Sequence, residues 1–145
     1  MDLLSEMRNE NMELDFNEAV LINLLRIFDH FLGNNGYVIV GLTFQDRNGE
    51  FLLYNNLALN QFITFSYGSA FEFEVVFEKR RLSLIGSLLT KPKIRKISQL
   101  KASSRNFSTL PVKFNIENNE QVLKAYLEFM KTELLPILRG EQWPD

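Results

Sequence analysis

The sequence predicts a two-layer α+β domain, an antiparallel β-meander of four to six strands with the N-terminal and C-terminal helices packed on one face. Three observations carry this. Apolar residues recur at helical spacing near both ends of the 145-residue chain. Between them lie short runs rich in β-branched and aromatic residues, separated by Asn/Gly turns. Within those runs, residues 70–79 alternate between two faces with a period of two.

Residues 1–14 are a polar lead, and a helix follows from Phe16 to Leu32. Asp15 and Glu18 have the spacing of a capping box. Val20, Leu24, Ile27, Phe28 and Phe31 share one face, and Leu21, Ile22, Leu25 and Leu32 widen it, so this helix should be covered on more than one side. Gly33 stands where a C′ glycine would, before the turn Asn34-Asn35-Gly36.

Tyr37–Gln45 and Glu50–Tyr54 then read as a hairpin across Arg47-Asn48-Gly49, since Asn-Gly favours the type I′ turn. Asn55-Asn56 predicts the next turn, and Leu57–Tyr67 the next strand. Its alternation looks imperfect, with Gln61 on the apolar side and Phe62 on the polar side. Ala70–Lys79 is the cleanest strand. Phe71, Phe73, Val75 and Phe77 face one way and Glu72, Glu74, Val76 and Glu78 the other, so a one-residue slip would bury three carboxylates.

Residues 80–110 form a basic connection. Leu82, Leu84, Gly86 and Leu88 alternate as a strand would, while Leu82, Ile85, Leu88 and Leu89 also fit a helix. Ile94, Ile97 and Leu100 fit a short helix after Pro92, residues 103–106 a loop, and Pro111–Ile116 an edge strand. The last helix spans Glu120 to Leu138, with Asn118 and Gln121 as a second capping pair. Pro136 should loosen its final turn, Gly140 should stop it, and Trp143 should fold back as an apolar anchor.

Composition narrows the chemistry. With no cysteine, thiolate catalysis, disulfides and cysteine–metal sites are excluded within the chain. With His30 as its one histidine, a two-histidine zinc motif is excluded too. None of the 7 glycines forms a phosphate-binding loop, and no cofactor is expected. His30, near a helix end, reads as a cap or a packing residue. No apolar run spans a membrane, and the acidic start lacks the pattern of a signal peptide, so a cytoplasmic protein is expected.

The charges are segregated. Residues 1–78 hold 12 acidic and 3 basic side chains; residues 79–116 hold 10 Lys/Arg and no acid. One reading is internal compensation, the basic segment lying across the acidic half. A second is a basic patch of Lys91, Lys93, Arg95, Lys96, Lys101 and Arg105 that meets nucleic acid or an acidic membrane surface, which a pI near 5.5 and the absence of a recognition motif disfavour. A third is an acidic partner-binding face made by Glu72, Glu74 and Glu78 with Asp46 and Glu50, suited to a cationic groove.

With GSAFEFEVVFEKRRLSL at its centre and LLPILRGEQWP near its end, the layout resembles small bacterial α+β proteins of uncharacterised families, several of them similar to immunity proteins. The resemblance implies a non-enzymatic protein that neutralises a toxin by binding it and occluding its active site. It assigns no residue a role. The alternative is a small-ligand carrier or carboxylate-based enzyme with a pocket between sheet and helices, and a homodimer through an open face or edge strand fits either reading.

Overall fold

The computed structural model describes residues 16–43, 50–68, 71–79, 93–102, 104–111 and 117–143. Helix α1 (Phe16–Asn34) leads into strands β1 (Val38–Thr43), β2 (Glu50–Asn56), β3 (Gln61–Gly68), β4 (Phe71–Lys79) and β5 (Lys93–Lys96). Helices α2 (Ile97–Ala102), α3 (Asn119–Glu133) and α4 (Leu135–Leu138) complete the order. The five strands form one antiparallel sheet in sequence order, β1 to β5. This is the expected α+β meander. The polar lead with Asp15, the Arg47-Asn48-Gly49 turn, the possible strand over 82–88 and the edge strand over 112–116 lie outside the described residues.

Strand alternation sets the core. Leu52 and Tyr54 of β2, Ile63, Phe65 and Tyr67 of β3, and Phe73, Val75 and Phe77 of β4 are all buried. Against them pack Val20, Leu24, Phe28 and Leu32 of α1 and Leu123, Tyr126, Phe129 and Met130 of α3, in one continuous cluster that Trp143 joins from its margin. The rings interlock: Phe28 meets Phe65 at 5.1 Å between centroids, Phe65 meets Phe73 at 6.3 Å, and Phe73 meets Tyr126 edge-on at 4.8 Å. Helix α1 has the wide buried face that its sequence predicts because it touches both the sheet and α3.

Four local expectations change. Ile94 lies in strand β5, so the short helix expected to include it begins at Ile97. Asn55 and Asn56 extend β2 instead of turning, and the turn is Leu57–Asn60, with Asn60 at φ +53°. The cause is Asn56, whose side chain donates to Asn35 O at 3.0 Å and accepts from Leu59 N–H at 3.2 Å. Gly33 stays helical; Gly36, at φ +88°, is the C′ glycine. Tyr37 N–H donates to Leu32 O and Gly36 N–H to Gly33 O, the paired bonds of a Schellman motif. At α3, Asn118 makes no side-chain capping bond; its backbone oxygen accepts from Val122 N–H. Pro136 splits the last helix as expected: α3 ends at Glu133 and α4 follows after Leu134.

Gln61 resolves the apparent flaw in β3. It belongs on the buried side and is fully enclosed there. Its Nε2 donates to Tyr37 Oη and to Ile137 O, both at 2.8 Å, and Tyr37 in turn donates to Leu138 O at 2.9 Å. This polar clamp fastens α4 to the start of the sheet. Tyr54 makes a second link, donating to Asp29 Oδ1 of α1 at 3.0 Å.

Burial raises the pKa of both phenols well above the ordinary tyrosine value, and for Tyr54 the Asp29 carboxylate adds to the rise. The folded state therefore holds these protons more tightly than the unfolded chain. Their contribution is complete below pH about 10 and declines above it, by about 1.4 kcal/mol per pH unit for each phenol. In urea titrations between neutral pH and strongly alkaline pH, the stability gap between wild type and Tyr54→Phe should stay constant up to that point and then narrow. Parallel curves throughout would contradict the assignment.

Candidate functional site

The expected acidic and basic patches prove to be neighbours. β4 carries Glu74 and Glu78 on the face away from the core, and β5 pairs with it directly, Glu78 opposite Ile94 and Lys79 opposite Lys93. Both carboxylate residues are half-buried, and Glu74 Oε1 accepts from the Ser98 N–H at 3.2 Å, at the start of α2. Lys93 and Lys96 of β5 are exposed, Arg95 is half-buried, and Arg105 is exposed in the turn that follows α2. Of the three cations of β5, Lys96 pairs with Val76 and shares the face of Glu74 and Glu78, whereas Arg95 and Lys93 pair with Phe77 and Lys79 and lie on the opposite face. Asp46 and Lys91 lie outside the described residues, as do the side chains of Glu50 and Glu72.

Lys101 leaves the basic patch. It is buried, donating from Nζ to Leu110 O at 2.7 Å and to Tyr126 Oη at 3.3 Å. Tyr126 donates in turn to Pro111 O at 2.8 Å, and the ammonium lies 5.7 Å from its ring centroid. Its charge thus ends inside, where these bonds tie residues 110–111 to α3. His30 is exposed near the end of α1, with Nε2 3.2 Å from Asn34 Nδ2, and no catalytic partner gathers around it among the described residues. No cluster of three or more His, Cys, Asp or Glu suited to a metal ion occurs among the described residues.

Among the described residues the sheet ends on β1 and β5, and these two edges differ in kind. β5 reads Lys-Ile-Arg-Lys, and charged side chains on an edge discourage pairing with another chain. β1 reads Val-Ile-Val-Gly-Leu-Thr and carries no charge. Its pairing with β2 shifts between Ile39 and Gly41, leaving Val40 as the extra residue of a β-bulge. The bulge breaks the alternation, and Val38, Ile39 and Val40 are exposed in succession, at 57%, 38% and 51%. Only Leu42 of this strand packs on the core, and only partly. Sequence reasoning had no signal for this stretch, because the bulge depends on the partner strand.

The sheet–helix interface itself is filled by the Phe28–Phe65–Phe73–Tyr126 contacts. The two pockets described lie elsewhere, one at the rim beside Asn55 and Arg139 and one between Leu100 and Leu134. Chemically, the molecule offers a cation-bearing edge on β5, next to the carboxylates of β4, and an apolar, uncharged edge on β1.

Lys101 and Arg105 separate the structural cation from the surface one. Lys101→Ala should cost about 1–3 kcal/mol in urea unfolding, since it strands the Leu110 carbonyl. Arg105→Ala should stay within about 0.5 kcal/mol of wild type. Equal effects would contradict the burial of Lys101. No family model matches the chain, and neither a curated protein nor a solved structure matches it.

Proposed function

We propose that this is a non-enzymatic protein-binding domain, an immunity-type inhibitor that adds its β1 edge to a cationic toxin and so blocks the toxin's active site. The observation that carries the reading is the contrast between edges: three consecutive exposed aliphatic residues on an uncharged β1, against a β5 edge guarded by cations. An unguarded edge strand offers a row of backbone donors and acceptors to an extended segment, while side chains such as Val38 and Val40 supply apolar contact. The acidic excess of residues 1–78 complements a cationic partner and would speed its approach.

Two further features support binding over catalysis. The chain has no cysteine and a single, exposed histidine. The space between sheet and helices, where a carrier or enzyme would hold its ligand, is occupied by aromatic rings. Glu74 and Glu78 are half-buried, and Glu74 accepts from the Ser98 N–H, which fits a structural role better than a free acidic docking face. A cytoplasmic home is part of the proposal; no described helix is long and apolar enough to cross a membrane.

The test is affinity purification with the wild-type chain and the double variant Val38→Lys/Val40→Lys, at low and moderate salt. A single stoichiometric, cationic protein should bind wild type, more slowly as salt rises. The variant should lose at least about tenfold in affinity while keeping its melting temperature, because both side chains are exposed. A partner retained equally by the variant would overturn the β1 edge as the docking site.

A further inference from the structure

Where β1 begins, the α1–β1 turn, the β2–β3 turn and the end of α4 line a shallow, open cleft of about 580 Å³. That is the size of a small-ligand site. Its walls are fixed. Gly36 sits so close to Asn56 that a Cβ there would come within 2.9 Å of the Asn56 amide nitrogen. Gly140, at φ +73°, would bring a Cβ within 2.7 Å of Leu59 Cδ2. Asn35 and Asn56 spend their amides on the scaffold: Asn35 Nδ2 donates to Phe31 O, and Asn56 binds Asn35 O and Leu59 N–H.

Two polar side chains in the lining are not committed in this way. The guanidinium of exposed Arg139 makes no ion pair or hydrogen bond among the described residues. Asn55 is only 8% exposed, yet its Oδ1 has no hydrogen-bond partner. A buried carbonyl without a donor is uncommon, because burial removes the water that would have served it. The lining also holds aliphatic Val38, Leu57 and Leu59, and Asn34, whose Nδ2 lies 3.2 Å from His30 Nε2.

We propose that this cleft binds a small aliphatic acid that carries an N–H or O–H beside its carboxylate. The guanidinium fork matches a carboxylate in two parallel hydrogen bonds, and one cation balances one negative charge, which favours a monocarboxylate over a doubly charged phosphate. The neighbouring N–H or O–H gives Asn55 Oδ1 its missing donor, reached by rotation of the amide. The aliphatic body covers Leu57, which at 80% exposure is the most exposed large apolar residue described. This site is independent of the docking edge in its charge chemistry, although Val38 borders both.

N-acetyl-leucine combines the three features and serves as the probe; N-acetyl-leucinamide lacks only the charge. Titrating each into the ¹⁵N-labelled full chain should give saturable shifts at Gly36, Val38, Asn55, Leu57 and Leu59 with the acid, and at least about tenfold weaker binding with the amide. Arg139→Gln should weaken the acid by at least about tenfold without lowering the melting temperature, whereas Arg105→Gln should change neither. The proposal is overturned by equal affinity for acid and amide, by an Arg139→Gln variant that binds as well as wild type, or by no saturation at these residues up to about 10 mM.

Discussion

The structure depends on one continuous contact between aromatic rings. Phe28 of α1 lies against Phe65 of β3, Phe65 against Phe73 of β4, and Phe73 against Tyr126 of α3. The two outer links join elements distant in sequence and the middle one joins adjacent strands, so the seam fixes the positions of both long helices and the register of the central strands together. Such pairs contribute about 0.5–1.5 kcal/mol each beyond the burial of their area. A slip of one residue in β4 would replace Phe73, Val75 and Phe77 by Glu74, Val76 and Glu78, and burying two unpaired carboxylates costs far more than any compensation available there.

Once that face is sealed, the remaining structure answers to it. Helix α4 cannot extend α3 past Pro136, so it is held separately, by the Tyr37–Gln61 clamp on the carbonyls of Ile137 and Leu138. Recognition is left to the edges and the rim. At one edge, β5 covers β4 and carries Lys93, Arg95 and Lys96, which guard the sheet against further pairing. At the other, the β1 bulge turns three aliphatic side chains outward with no charge near them on the strand. The contrast in how the two edges are finished is what gives the binding reading its direction.

How much of this the sequence discloses follows from how local each cause is. The α1 stripe, the Phe73–Phe77 alternation and the Pro136 break depend on residues within a turn or two of one another, and the structure has them as the sequence predicts. Gln61 looked like an error in a strand because its partners, Tyr37 and Ile137, are 24 and 76 residues away. Asn55-Asn56 carried the composition of a turn, but the Asn56 bond to Asn35 O holds them in β2. Lys101 has the same composition signal as Arg105, and only its tertiary contacts with Leu110 and Tyr126 separate the two. The β1 edge and the Asn55–Arg139 cleft were illegible for the same reason: each is assembled from segments that meet only in the folded chain.

Native-state amide hydrogen exchange tests the central claim most directly, which is that the aromatic seam closes the middle of the sheet while β1 remains an open edge. The account predicts that the amides of Ile63, Phe65 and Val75 exchange only through global unfolding, whereas the β1 amides not paired with β2 exchange orders of magnitude faster. Uniformly high protection along β1 in the isolated protein would mean that this edge is already covered, and would contradict the account.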